Sequence, residues 1–87
     1  MDYYKIVFKS KALKDLKKLE ATFIKNIINN INSLKENPLP RGVKKLQSYH
    51  SLYRIRVGDY RVIYEIDKAE KIITIQYVRN RKDAYRF

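Results

Sequence analysis

Arginine is concentrated in the second half of the chain, where it could bind phosphate. Residues 54–87 contain six of the seven arginines, whereas residues 1–37 contain eight lysines and no arginine. A guanidinium is a planar group that holds a phosphate through two hydrogen bonds, while a lysine ammonium is a mobile point charge. We therefore expect defined phosphate contacts in the second half and diffuse electrostatic attraction around the first.

The spacing of these arginines predicts a cluster on one face of a sheet. Arg54 and Arg56 alternate with apolar residues in a predicted strand, so they point to the same side. A tight turn and a returning strand bring Arg61 near them, and Arg81 could reach the same face from the end of a third strand. Such a cluster repels itself unless an anion fills it, which indicates a binding site. The alternative is a solvated basic face in which arginine stems cover apolar surface.

The periodicity of apolar residues predicts the elements that position this cluster. Ser10 is the predicted N-cap of a first helix, in which Leu13, Leu16 and Leu19 share one face. Pro38 should end the second helix. In the last strand, Tyr77 is expected on the same face as Ile73 and Ile75. The predicted elements are a strand over 3–8, a helical hairpin broken near residue 21 and reaching residue 36, a loop over 38–42, and strands over 52–57, 60–66 and 71–79.

These elements predict an α+β fold of order β-α-α-β-β-β, with one domain over residues 1–87. The N-terminal strand and the helical hairpin pack on an antiparallel β-meander, because nothing else in the chain can cover that sheet. Tyr53, Tyr60 and Tyr64 are expected in or against the core. Tyr85 lies beside arginines in the polar tail, where a functional role is favoured.

Composition excludes several classes of function. The net charge of +11 points to a polyanionic partner, most simply nucleic acid. The chain contains no Cys, one His and two Gly, which argues against thiolate or His-cluster metal sites, a two-His catalytic pair and a glycine-rich phosphate loop. His50, in a predicted loop, is expected to be incidental. No signal peptide or membrane span is indicated, so a cytoplasmic location is expected.

Several segments, in order and spacing, resemble one known family. They are the strand Tyr4-Lys5-Ile6-Val7-Phe8, the helix Ala12-Leu13-Lys14-x-Leu16-x-Lys18-Leu19, the loop Pro40-x-Gly42-x-x-x-Leu46, the hairpin Tyr53-Arg54-Ile55-Arg56-Val57-Gly58-Asp59-Tyr60-Arg61-Val62-Ile63-Tyr64 and the close Val78-Arg79-Asn80-Arg81-Lys82-Asp83-Ala84-Tyr85-Arg86. Together they cover nearly the whole chain. The sequence is similar to the RelE toxins of the RelE/ParE toxin–antitoxin superfamily.

The resemblance implies a ribosome-dependent endoribonuclease that cuts mRNA codons in the ribosomal A site without a metal or cofactor. In the reaction that the resemblance implies, the 2′-hydroxyl of the substrate attacks the adjacent phosphate, and the product is a 2′,3′-cyclic phosphate. By position, Arg54 and Arg56 would contact substrate and take part in proton transfer. Arg61 and Arg81 would hold the scissile phosphate and stabilise its developing charge, and Tyr85 would stack on or orient the nucleotide. Further RNA contacts are assigned to Arg79, Lys82 and Arg86.

One departure from the family pattern leaves the general base open. The best-studied branch has Lys where this chain has Arg54 and Arg56, and an arginine stays protonated at physiological pH. Proton removal could instead rely on Tyr85, His50, ribosomal groups or electrostatic activation of the 2′-hydroxyl.

The resemblance also implies binding partners, and two other functions stay open as alternatives. The expected partners are a cognate acidic RelB-like antitoxin and the ribosome with mRNA in its A site. No interaction with a membrane is expected. The lysine-rich helical face could steer the chain toward ribosomal RNA or simply be solvated. Alternatives are a ParE-like toxin that poisons DNA gyrase without nuclease activity, and an RNA-binding module without catalysis.

Overall fold

Two helices and five strands make up the described part of the chain. The computed structural model describes residues 3–47 and 51–80. The elements in chain order are β1 (Lys5–Phe8), α1 (Ser10–Lys17), α2 (Ala21–Ser33), β2 (Lys44–Gln47), β3 (Leu52–Val57), β4 (Tyr60–Asp67) and β5 (Ile72–Asn80). Neither of the two helices in these ranges is long and apolar enough to cross a membrane.

The five strands form one mixed sheet in the order β1-β5-β4-β3-β2. Strand β1 runs parallel to β5, and the other neighbours are antiparallel, so β3, β4 and β5 form the predicted meander. Gly58, at the turn between β3 and β4, has a φ of +60°. That backbone conformation suits glycine because it lacks a Cβ atom.

The helical hairpin covers one face of the sheet, as the sequence predicts. Ile27 and Ile31 of α2 and Ala12 and Leu16 of α1 are buried against apolar residues of β3, β4 and β5. Tyr64 is fully buried in this core, and Tyr53 and Tyr60 pack against it. The predicted core roles of these three tyrosines are therefore confirmed.

Two local predictions about the first half of the chain are wrong, and one strand was missed. Lys9, not Ser10, is the N-cap of α1, and no side chain caps this helix end. Leu13 is 46% exposed, because the short helix turns Ala12 and Leu16 toward the sheet instead. Strand β2 was not predicted, since Lys44-Lys45-Leu46-Gln47 lacks the β-branched and aromatic residues typical of strands.

A β-bulge reverses the predicted facing of residues in the second half of β5. Tyr64 of β4 is opposite Ile75, whereas the preceding Ile63 is opposite Tyr77, which leaves Gln76 as an extra residue. An extra residue shifts the alternation by one position. Val78 consequently joins the core, and Tyr77 lies on the other face, contrary to the sequence prediction.

Candidate nucleic-acid interface

Three arginines form a row across three neighbouring strands. Arg56 on β3 is directly opposite Arg61 on β4, and Arg61 is directly opposite Arg79 on β5. Residues opposite each other in antiparallel strands project to the same face, with Cβ atoms about 5 Å apart. We call Arg56, Arg61 and Arg79 the arginine row.

The arginine row lies on the sheet face that points away from the helices. Its members alternate with core residues: Val57 next to Arg56, Val62 next to Arg61 and Val78 next to Arg79 are all buried. The predicted convergence of Arg56 and Arg61 on this face is confirmed. The bulge in β5 adds Arg79, because it turns this residue to the outer face of the sheet.

A second row of residues runs alongside, one step further from the β3–β4 turn. Lys44 on β2 is opposite Arg54, Arg54 is opposite Ile63, and Ile63 is opposite Tyr77. Arg54 is half-buried, and Ile63 is buried although it belongs to the outer face. Arg54 therefore shares its face with the arginine row, beside an apolar patch.

Tyr77 supports one end of the arginine row. The guanidinium carbon of Arg79 lies 4.4 Å from the centroid of the Tyr77 ring. A cation over an aromatic face is attracted by the negative charge of the ring, and stacking restricts the guanidinium to one plane. Tyr77 thus orients Arg79 on the outer face.

The electrostatics of the arginine row favour an anion. Every cross-strand partner within the row carries the same positive charge, and like charges directly opposite each other destabilise a sheet. The acidic residues of β4 lie elsewhere on the strand: Glu65 is opposite Leu52 and Thr74, and Asp67 is opposite Ile72. The row is therefore suited to binding the phosphates of a polynucleotide.

Lys44 is a basic residue of this surface that sequence reasoning missed. It is exposed and directly opposite Arg54, so it extends the cationic surface to the edge strand. The omission follows from the failure to predict β2. The pair Lys44-Lys45, placed soon after the loop and before Arg54, is the signal that could have found it.

The core side of the sheet holds a tyrosine with an altered pKa. The Tyr64 hydroxyl donates a hydrogen bond of 2.7 Å to the carbonyl oxygen of Pro38. Burial, reinforced by the neighbouring Tyr53, raises the pKa of Tyr64 above its ordinary value. Tyr64 therefore remains protonated and connects the loop after α2 to the sheet, on the side opposite the arginine row.

Several site residues predicted from the sequence lie outside the described ranges. They are His50, Arg81, Lys82, Tyr85 and Arg86. Their assigned roles stay predictions. Among residues 3–47 and 51–80, no group of three His, Cys, Asp or Glu side chains is arranged to hold a metal ion.

Comparison with known proteins assigns the family. Residues 6–85 match the family model of the ParE toxin of the type II toxin–antitoxin system, parDE. Two curated relatives come from Methanocaldococcus jannaschii. The putative toxin RelE1 is 33% identical over 86 residues, covering 95% of this chain and 96% of the relative. Toxin RelE3 is 37% identical over 87 residues, covering 93% and 94%.

Solved structures agree with this assignment. The toxin in the archaeal RelE–RelB complex from Pyrococcus horikoshii is similar with a TM-score of 0.82 and 31% identity, covering 93% of this chain and 97% of that chain. The RelB–RelE antitoxin–toxin complex from Methanococcus jannaschii gives a TM-score of 0.75 and 29% identity, covering 93% and 96%. The described fold is thus that of a RelE-like toxin. The chain belongs to the RelE/ParE family of type II toxin–antitoxin toxins.

Proposed function

We propose that this protein is a ribosome-dependent endoribonuclease that cleaves mRNA codons in the ribosomal A site. The observation that carries the proposal is the arginine row, Arg56–Arg61–Arg79, on the open face of the sheet. Three like charges set directly opposite one another favour the binding of a polyanion. The backbone of RNA supplies phosphates at the regular spacing that such a row can bind.

The proposed reaction needs no metal and uses the substrate as its own nucleophile. The 2′-oxygen forms a bond to the adjacent phosphorus, and the bond from phosphorus to the 5′-oxygen of the next nucleotide breaks. The 2′-hydroxyl loses its proton as it attacks, and the leaving 5′-oxygen takes up a proton, so the products are a 2′,3′-cyclic phosphate and a 5′-hydroxyl. Negative charge grows on the phosphate in the transition state, and guanidinium groups held near it stabilise that charge.

The position of each residue in the sheet or along the chain suggests its role in this reaction. Arg61 is at the centre of the arginine row, so it is the residue that we assign to the scissile phosphate, together with Arg81 further along the chain. Arg54 and Arg56 bind substrate but stay protonated, so they do not accept the proton of the 2′-hydroxyl. Removal of that proton is assigned to Tyr85, to His50, to a group of the ribosome or to electrostatic activation of the 2′-hydroxyl. Tyr85 would also stack on or orient the nucleotide.

An acidic antitoxin is the proposed regulatory partner. Two similar toxin structures are complexes of RelE with RelB. The net charge of +11 on this chain favours an acidic partner that neutralises the outer sheet face and competes with RNA for it. Both the ribosome and such an antitoxin would meet the toxin in the cytoplasm.

The test is primer extension on a defined mRNA in a purified translation system, with and without ribosomes. We expect cuts within A-site codons from the wild type only when ribosomes are present, and loss of these cuts in Arg61→Ala. Lys68→Ala is the matched control, because it removes one positive charge from the exposed turn between β4 and β5, away from the row. Intact mRNA with wild-type protein under both conditions would refute the proposal.

A second candidate function is poisoning of DNA gyrase by binding. It is favoured by one observation, the match of residues 6–85 to a family model that carries the ParE name. This candidate predicts intact mRNA and inhibited DNA supercoiling by the wild type. A supercoiling assay on the same protein preparations, including Arg61→Ala, therefore separates the two functions. RNA binding with neither activity would indicate a non-catalytic RNA-binding module.

A further inference from the structure

Among residues 3–47 and 51–80, no strand pairs with the half of β5 that carries Arg79 on the side next to α1. Strand β1 pairs only with residues Ile72–Ile75, and the last contact is the hydrogen bond from the Lys9 N–H to the Ile75 carbonyl. Strand β5 then continues to Asn80, with β4 on one side and helix α1 near the other. A strand end held on one side only is free to fray, unless another group takes the place of the missing strand.

Asp15 of α1 takes that place. Its Oδ2 accepts a hydrogen bond of 3.0 Å from the backbone N–H of Val78. The Asp15 side chain is only 15% exposed, and its Oδ1 lies 3.7 Å from the Lys11 ammonium. Hydrogen bonds to a carboxylate are about twice as strong as neutral ones. Helix α1 thereby holds the backbone of β5 immediately before Arg79.

The position of this bond matters because Arg79 is directly opposite Arg61. The repulsion between these two guanidiniums favours separation of β5 from β4 at this point. The hydrogen bond between the Asp15 carboxylate and the Val78 amide opposes that separation, because it holds the backbone of β5 in place. Asp15, Val78 and Arg79 all line the cleft of about 520 Å³ between α1 and the end of β5.

We propose that Asp15 is a positioning residue for the arginine row. It holds the backbone of β5 at Val78, and through that backbone it sets the place of Arg79 opposite Arg61. The inference rests on the proposed function, because it assigns to Asp15 a contribution to RNA cleavage. Asp15 itself touches neither the substrate nor the reacting phosphate.

The test compares Asp15→Ala with Asp15→Asn in the ribosome-dependent cleavage assay, over a range of ribosome concentrations that reaches saturation. A displacement of about 1 Å at a reacting group can cost about a hundredfold in rate, so we expect kcat of Asp15→Ala to fall by about tenfold or more with KM little changed. Asparagine keeps an oxygen that can accept the Val78 N–H bond, so Asp15→Asn should recover most of the lost rate. Glu36→Ala, an exposed carboxylate on the other side of the hairpin, is the matched charge control.

Two further measurements separate positioning from general stability. Ile31→Val shortens a fully buried core side chain of α2, so it provides a destabilised protein whose arginine row is intact. If kcat of Asp15→Ala falls no further than that of Ile31→Val, or if it equals the wild-type value, the inference is overturned. The second measurement is native-state hydrogen exchange, in which the Val78 and Arg79 amides should exchange faster in Asp15→Ala while amides of α2 keep their wild-type protection.

The exchange measurement also separates this inference from the proposed function. Absence of cleavage by the wild type would refute the endoribonuclease proposal alone. Unchanged exchange at Val78 and Arg79 in Asp15→Ala would overturn the positioning role whether or not the protein cleaves RNA. Faster exchange together with a kcat loss that asparagine restores supports both proposals.

Discussion

Replacing Arg56 with glutamine distinguishes a phosphate-binding row from a basic face that is only solvated. Arg56 is exposed, and its cross-strand partner is Arg61, which in turn is opposite Arg79. Each phosphate of a single strand that a protein neutralises contributes about 0.7 to the slope of log affinity against log salt concentration. The three arginines together should contribute about 2 to this slope, and Arg56→Gln should lower it by about 0.7.

The same substitution should leave stability unchanged or slightly increased. Two guanidiniums roughly 7 Å apart in water repel by about 0.5 kcal/mol, and by less in salt. Glutamine removes this repulsion between residue 56 and Arg61 while keeping a similar stem. We therefore expect the free energy of unfolding to rise by at most about 0.5 kcal/mol. A group whose removal weakens binding without weakening the fold belongs to a binding site.

Two assays on the same proteins check this reasoning. Fluorescence anisotropy of a labelled oligoribonucleotide over a series of KCl concentrations gives the salt slope, and urea denaturation gives the stability. Lys68→Gln is the matched control, since it removes a positive charge from an exposed turn away from the row. An unchanged slope in Arg56→Gln, or an equal decrease in Lys68→Gln, would refute phosphate binding by the row. A loss of stability above about 1 kcal/mol would show instead that the stem of Arg56 packs on apolar surface.

Two other substitutions test the scaffold. Tyr64→Phe removes the hydrogen bond to Pro38 and should cost about 1–2 kcal/mol in urea denaturation, with intact stability contradicting that bond. Burial raises the pKa of Tyr64, so as pH rises the unfolded chain loses the hydroxyl proton before the folded protein does. The stability of the wild type should therefore fall as pH rises above about 10, and this fall should be smaller in Tyr64→Phe. Gly58→Ala should cost about 1 kcal/mol through its φ of +60° alone, since nothing lies within 4 Å of the added Cβ atom, and an unchanged urea midpoint would contradict this.

The arginine face was predictable because it depends on strict alternation in one hairpin. Arg54, Arg56 and Arg61 belong to two strands joined by a two-residue turn at Gly58-Asp59, so their relative facing follows from period-2 geometry and a short connection. No long-range contact was needed to bring them together. The antiparallel meander and the covering helices followed from the same local patterns.

The rest of the surface depends on features that alternation cannot supply. The bulge at Gln76 moves Tyr77 to the outer face and Val78 into the core, and a bulge arises from pairing with β4 rather than from the local sequence of β5. Strand β2 forms because β3 offers it an edge, although its own residues have weak strand propensity. Asp15 lies in a helix rich in lysine, where an isolated carboxylate gives no signal that it will bond a strand 63 residues later in the chain.

The distribution of charge on β4 supports the proposed binding of phosphate by the arginine row. This strand carries both signs on its outer face, with Arg61 near one end and Glu65 and Asp67 near the other. Opposite charges placed across neighbouring strands stabilise a sheet, and like charges placed there destabilise it. Yet Arg61 has an arginine on each side, while Glu65 is opposite Leu52 and Thr74. The cross-strand placement of the arginines therefore adds nothing to the pairing of β4, and it supports the proposal that this end of the sheet binds the phosphates of RNA.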